Sequence, residues 1–207
     1  MRLLLATLAA VSLLSIAPVH AREPGPYEVK QLDAAQALPK GVKAKGKTVE
    51  QVWSWQDGDL STEGLAVFSS TDTVKGGRVV ARKLFVQYYR GKPGKLKQVR
   101  LVTDGVPTCE YDVVARFVPE SVQITDEDTD TISELSFAYD VTCTSDVSPS
   151  TRKLLVLEGK DKHALRGTSR IVAGSDSFGG EFKLDGFKKA PALQALAETQ
   201  WKASLAK

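Results

Sequence analysis

From residue 48 onward, apolar and polar side chains alternate along several runs, which is the pattern of β-strands with one buried face. TVEQVWSWQ, RVVARKLFVQYYR and ELSFAYDVTC show this pattern most clearly. Short segments at 57–59, 91–94 and 160–161 contain the Gly, Pro or Asp residues that favour hairpin turns, whereas residues 174–180 are expected to form a loop. The pattern predicts a mainly β (α+β) fold, an antiparallel sandwich or roll.

The spacing of the apolar residues changes near the end of the chain. After Pro191, which suits the first turn of a helix, the apolar residues recur at helical spacing. They are Leu193, Leu196, Ala197, Trp201 and Leu205. We expect an amphipathic helix over 191–206 that packs on a sheet with Trp201 as its anchor; a partner-binding helix is the alternative.

Residues 22–47 lack this regularity. They contain prolines, glycines and a basic stretch, and they predict an irregular segment with up to two helical turns over 32–39, stopped by Pro39. The remaining residues, 48–207, are long enough for one β-rich domain with its own core.

The first 21 residues have the composition of a secretory signal peptide. Arg2 precedes an apolar run over 3–16, and Val-His-Ala at 19–21 fits a cleavage site after Ala21. An uncleaved anchor is the alternative, although the run is short for a bilayer span. We expect an exported protein without a stable membrane span after cleavage.

The chain has two cysteines, Cys109 and Cys143. In an exported protein, two cysteines usually form one disulfide. A redox-active pair is the alternative, but the two cysteines do not have the C-x-x-C spacing that is typical of one. Period-two alternation places both thiols on the apolar face of their strands. The residues expected on the face of Cys109 are Tyr111, Val113, Ala115 and Phe117, and those on the face of Cys143 are Leu135, Phe137, Tyr139 and Val141.

Charge is unevenly distributed. Residues 75–100 contain nine Lys or Arg and no acid, whereas 104–146 contain eleven acids and one base. These stretches are either solvated sheet faces or a basic surface for anionic glycans or lipid headgroups, opposite an acidic cation site. No motif indicates nucleic acid binding. The candidate ligand-binding residues are Arg82, Arg90, Lys97, Asp146 and Arg166; Asp146 is also a candidate partner of Arg166.

The acidic stretch contains the strongest candidate site. Asp126, Asp128 and Asp130 alternate, and the Ile132 carbonyl and Glu134 follow at the same spacing, so that the turn could offer converging oxygens to calcium, completed by water. Thr131 stands where a sharp turn usually needs Gly, and Phe137 stands where an EF-hand has Glu. The alternatives are a solvated acidic turn or neutralisation by Lys and Arg of the basic stretch.

Residues 125–167 resemble a family of exported bacterial proteins that carry the label of surface-polysaccharide biosynthesis. The family pattern is Thr-Asp-Leu-Asp-Gly-Asp-Gly, an acid before a strand, Cys, Asp-Val-Ser-Pro, Lys-Leu and Arg-Gly. The matching residues are Thr125, Asp126, Asp128, Asp130, Glu134, Cys143, Asp146, Val147, Ser148, Pro149, Lys153, Leu154, Arg166 and Gly167. Thr129 and Thr131 replace the two family glycines. The resemblance implies a link to cell-envelope glycans and assigns no catalytic residue.

No catalytic motif stands out. His163 is the one histidine after residue 21, the chain has no Asn, and it lacks G-x-S-x-G, Walker and G-x-G-x-x-G patterns. The sequence favours a non-catalytic periplasmic or secreted β domain associated with envelope glycans, with calcium shaping one loop. The alternatives are a glycan hydrolase or lyase that uses paired carboxylates, and a protein-binding or inhibitory envelope protein.

Overall fold

A computed structural model describes residues 25–34 and 38–205, so the predicted signal peptide lies outside the described part of the chain. Those residues form antiparallel strands and a C-terminal helix, as the sequence predicts. The elements are β1 (Tyr27–Leu32), β2 (Thr48–Gln56), β3 (Glu63–Lys75), β4 (Arg78–Lys92), β5 (Lys95–Val106), β6 (Asp112–Phe117), β7 (Gln123–Thr125), β8 (Glu134–Thr144), β9 (Thr151–Glu158), β10 (Asp161–Thr168), β11 (Arg170–Ala173), β12 (Asp176–Gly179), β13 (Phe182–Asp185) and α1 (Pro191–Ser204).

The strands form two larger sheets and a ribbon. The first sheet has the order β1-β2-β3-β4-β5, and the second has β13-β10-β9-β8-β6 with β7 also paired to β8. The predicted hairpins β2–β3, β4–β5 and β9–β10 are all present. The predicted loop over 174–180 is wrong at β12, which pairs with β11. Ile171 lies opposite Phe178, and Gly174 adopts a φ of 62° in the turn between these strands.

The two sheets pack face to face, as in a sandwich. Phe68 of the first sheet contacts Phe117 and Phe137 of the second edge-on, with ring centroids 5.1 and 5.2 Å apart. Trp55 and Tyr88 stack within the same cluster. The alternating aromatic and aliphatic residues of both sheets therefore form one shared core.

The C-terminal helix covers the other face of the second sheet. Trp201 is fully buried beside Leu193 and Ala197, and its indole N–H donates to the Gly180 carbonyl at 2.8 Å. The helix starts at Pro191 as predicted and ends at Ser204, earlier than the predicted end at 206. No helix among the described residues is both long and apolar enough to cross a membrane.

The N-terminal segment is more ordered than its sequence predicts. Residues 27–32 form β1, which extends the edge of the first sheet from Tyr27 opposite Gln56 to Leu32 opposite Val52. Backbone pairing holds this strand, and most of its side chains are exposed, so no apolar alternation marks it. The predicted helical turns fall partly on residues 35–37, outside the described ranges, and residues 32–34 and 38–39 are not helical.

The predicted disulfide is present. Cys109 and Cys143 are bonded with their Cα atoms 5.6 Å apart. The Cys109 N–H donates to the Val80 carbonyl of β4 at 2.7 Å, whereas Cys143 lies in β8 of the second sheet. The bridge therefore fastens a segment that is hydrogen-bonded to one sheet onto the other. Tyr111 does not share the buried face as predicted, because it precedes the first residue of β6, and the Tyr111 ring is exposed.

Candidate metal centre

The acidic loop, residues 126–133, connects the antiparallel strands β7 and β8. Thr129 and Thr131 adopt φ values of 61° and 74°, in the left-handed region that favours glycine. These are the two positions where the pattern that residues 125–167 resemble has glycine. The backbone of the loop therefore keeps a glycine-type conformation with threonine in place, at a cost on the order of 1 kcal/mol or more per residue.

The aspartates bond to the backbone of their own loop. Oδ1 of Asp126 accepts from the Thr131 N–H at 3.3 Å, Oδ1 of Asp128 from the Asp130 N–H at 3.4 Å, and Oδ1 of Asp130 from the Ile132 N–H at 2.6 Å. The bonds of Asp128 and Asp130 reach the N–H two residues on, as in Asx turns, and the bond of Asp126 spans five residues, so the chain coils around its own carboxylates. As a result, one carboxylate oxygen from each of the three aspartates lies within 4.8 Å of the others.

A second group of carboxylates shares Asp128. Oxygens of Asp128, Glu134 and Glu158 also lie within 4.8 Å of one another. Glu134 and Glu158 stand directly opposite on β8 and β9. Like charges at such a pair repel. Sequence reasoning missed Glu158, and the signal that could have found it is the register of β9 against β8, which a sequence pattern does not fix.

The acidic cluster (Asp126, Asp128, Asp130, Glu134 and Glu158) is unevenly exposed: Asp126 and Glu134 are buried, Glu158 is partly buried, and Asp128 and Asp130 are exposed. Asp126 is 8% exposed, and its Oδ2 has no hydrogen-bond partner within the described ranges. Glu134 is fully buried and accepts from the Thr125 hydroxyl at 2.6 Å and from the Glu127 N–H at 3.0 Å. No Lys or Arg in residues 25–34 and 38–205 forms an ion pair with any member of the cluster. Neutralisation by the basic stretch is therefore not observed.

Burial and mutual repulsion perturb the titration of the cluster. Burial raises the pKa of Asp126 and of Glu134, and neighbouring carboxylates add to the increase in both. Burial, followed by the charges of Asp128, Asp130 and Glu134, raises the pKa of Glu158 to about 7. A bound cation would reverse these shifts because it favours the ionised form of every carboxylate around it.

The first sheet holds the end of the acidic loop in place. Asp57, in the turn after β2, is fully buried, and its Oδ1 accepts from the Trp55 indole N–H at 3.1 Å and from the Ser133 N–H at 3.3 Å. Oδ2 of Asp57 accepts from a guanidinium N–H of Arg90. The neighbouring Gly58 N–H donates to the Thr131 carbonyl at 3.0 Å. The position of the loop thus depends on a buried ion pair of the other sheet.

The other predicted ligand-binding residues do not form one surface site. Arg82 pairs with Glu50 at 3.0 Å and with Asp72 at 3.4 Å, and Lys97 is exposed. Arg90 pairs with Asp57.

The predicted Arg166–Asp146 pair is wrong. Arg166 lies on β10 beside β13 and bonds to Asp185 at 3.1 Å. Asp146 lies beyond the end of β8 and accepts from the Thr144 hydroxyl at 2.9 Å.

Comparison with known proteins assigns no family, since no family model, curated protein or solved structure matches the chain. Fold and geometry alone therefore define its class. It is an antiparallel β-sandwich-like domain with a disulfide, a C-terminal helix and an acidic loop whose carboxylates meet those of the adjacent strands.

We expect the metal-free protein to lose stability as pH rises from about 5 to 7.5. The ordinary pKa of a glutamate is 4.5, and that of Glu158 rises to about 7 in the folded chain, so between these values the folded state binds more protons than the unfolded state. Stability then falls with increasing pH. Melting temperatures in EDTA at pH 5.5, 6.5 and 7.5 measure this slope. Glu158→Gln should flatten it, and an equal slope in both proteins would contradict this account.

Proposed function

We propose that this chain is an exported, non-catalytic β domain that binds calcium through the acidic cluster and is associated with cell-envelope glycans. The observation that carries the calcium proposal is the convergence of five carboxylates in two groups that share Asp128, without a neutralising Lys or Arg among the described residues. The part of the proposal that concerns glycans rests on the resemblance of residues 125–167 and on the signal-peptide-like start of the sequence.

The dimensions of the cluster suit a calcium ion. Calcium holds oxygens at about 2.3–2.6 Å, so two oxygens on opposite sides of the ion lie about 5 Å apart at most. The oxygens of each group fall within 4.8 Å of one another. All the candidate side-chain donors are carboxylate oxygens, which hard divalent cations such as calcium prefer, whereas zinc sites usually contain nitrogen or sulfur donors.

The unpartnered oxygen of Asp126 is a second argument for an ion. A carboxylate oxygen buried without a hydrogen bond costs free energy, and in this loop that oxygen belongs to a residue of the group formed with Asp128 and Asp130. Coordination would satisfy it. We expect a dissociation constant in the range of roughly 0.1–1 mM, typical of extracellular calcium modules.

Thermal and urea unfolding of the mature, oxidised protein in EDTA and in calcium tests the proposal. Calcium at a hundred times its dissociation constant should add about 2.7 kcal/mol to the free energy of unfolding. Asp128→Asn should lose this gain, because Asp128 belongs to both groups and is exposed, so the substitution should not impair folding. Asp176→Asn on the exposed β12 removes the same charge and should keep the full gain. No gain in the unmodified protein, or an equal gain in Asp128→Asn, would contradict calcium binding.

A further inference from the structure

The inner face of the second sheet carries cations where its pattern calls for core residues. Ala164 of β10 belongs to the cluster between the sheets, whereas Leu165 faces the helix side. Lys162 and Arg166 are two residues from Ala164 on either side, so they share its inward face. On the neighbouring strand, Lys153 stands directly opposite Arg166. Apolar residues normally fill this face inside a sandwich, whereas Lys162 and Arg166 lie where it is exposed.

These cations line a cavity of about 380 Å³, beside β5 at the edge of the first sheet. Arg100 of β5 contributes a fourth cation, and Asp104 contributes the one carboxylate in the lining. The volume lies within the range of small-molecule sites, roughly 300–1,000 Å³. The cavity is therefore large enough for a small ligand and has more positive than negative charges.

Two of the four cations are neutralised by carboxylates. Lys153 and the Tyr139 hydroxyl both donate to Asp104, at 2.5 and 2.9 Å. Although burial opposes the change, these bonds hold the pKa of Asp104 below its ordinary value. Arg166 donates to Asp185 at 3.1 Å.

The other two cations keep donors available. Lys162 forms no ion pair with any residue that the structure describes. Arg100 donates one N–H to the Lys160 carbonyl, and its Nε is shielded from water without a hydrogen-bond partner in the described part of the chain. A buried donor without an acceptor costs free energy, which an anionic ligand would recover.

We propose that this cavity binds the oxyanion group, a carboxylate or a phosphate, of a small ligand. Arg100 and Lys162 would contact the anion directly, because neither forms an ion pair with a carboxylate in the described ranges. Lys153, Asp104 and Tyr139 form a fixed polar wall beside it. The cavity lining shares no residue with the acidic cluster, and the site does not require calcium. An acidic sugar as the source of the carboxylate rests on the glycan part of the proposed function.

Titration of the ¹⁵N-labelled mature protein in EDTA and low salt tests this site by NMR. Glucuronate, glucose and inorganic phosphate are the probes. We expect saturable shifts in β5, β9 and β10 with glucuronate, phosphate or both, and none with glucose. Tighter binding of glucuronate than of phosphate assigns the site to an acidic sugar, and the reverse order assigns it to a phosphate group. Equal response to glucose, or no saturable response to either anion, overturns the proposal.

Matched variants locate the binding. Arg100→Met/Lys162→Met should weaken anion binding at least tenfold, whereas Lys97→Met removes an exposed charge of the same strand as Arg100 and should leave it unchanged. If the double variant melts abnormally, Lys162→Met alone, at an exposed position, should still weaken binding severalfold. Asp128→Asn should bind the anion normally, so that failure of the calcium site and failure of this site give different results. Unchanged binding in both cation variants would overturn the assignment.

Discussion

Replacement of Arg90 by Met is expected to lower the free energy of unfolding by about 3–5 kcal/mol, because it leaves the Asp57 carboxylate buried and unpaired. Asp57 has no exposed surface and pairs with Arg90 through Oδ2. Its Oδ1 also bonds to the Ser133 N–H, so the damage should extend to the end of the acidic loop. We therefore expect the variant to unfold at a lower urea concentration than the unmodified protein. Calcium should also raise its free energy of unfolding by less.

Arg82→Met is the matched control. Arg82 lies on the same strand and also pairs with acids, Glu50 and Asp72, but these partners are partly exposed. Ion pairs of this kind contribute about 0–1 kcal/mol. Urea unfolding at pH 7 measures the free energy of unfolding of both variants. If Arg90→Met costs no more than Arg82→Met, the buried pair does not support the fold in the way described.

Loss of the disulfide is expected to have an effect of similar size. Cys109 and Cys143 are 34 residues apart in sequence. In the chain-entropy model, a closed loop of this length contributes about 4 kcal/mol by restricting the unfolded chain. We expect the free energy of unfolding to fall by about this amount when the protein is treated with a thiol reductant.

Cys109→Ala/Cys143→Ala serves as the control for the reductant. The double variant should resemble the reduced protein, and the reductant should not change its unfolding curve further. An oxidised protein no more stable than the double variant would contradict the predicted contribution of the bridge. Since Cys109 is hydrogen-bonded to β4 and Cys143 belongs to β8, the bridge should also protect the contact between the sheets.

The strand pattern predicted most of the scaffold because one face of each long strand is buried. Alternation in β8 identified the inward residues Leu135, Phe137 and Tyr139, and the helical spacing after Pro191 identified Trp201. The strands that sequence analysis missed, β1 and β12, are mostly exposed. Backbone hydrogen bonds hold these strands in the sheets, and such bonds do not require an alternating pattern of apolar side chains in the sequence.

The acidic loop was predictable for a different reason. Alternating aspartates in a tight turn have short side chains that bond to the backbone two residues on, and this local chemistry is visible in sequence. Glu158, Asp57 and Arg90 reach the loop only through the register of β9 and the packing of the first sheet. Those contacts are long-range, so no local spacing reveals them.

The same reasoning explains the wrong pairing of Arg166. Asp146 and Asp185 lie at nearly equal distances from it along the sequence, and both are acids in polar segments. The order of strands in the second sheet decides between them, because β13 is the hydrogen-bonded neighbour of β10.

Calorimetric titration of calcium into the oxidised protein without residues 1–21, at pH 7.5, tests the central claim most directly, with Glu158→Gln titrated in parallel. We expect saturable binding at about one ion per chain with a dissociation constant of roughly 0.1–1 mM. Glu158→Gln should weaken calcium binding, because the group formed by Asp128, Glu134 and Glu158 loses one carboxylate. Magnesium in place of calcium tests the selectivity of the site. Heats that do not saturate up to 10 mM calcium, about ten times the upper limit of that range, would contradict the claim that the acidic cluster is a calcium site.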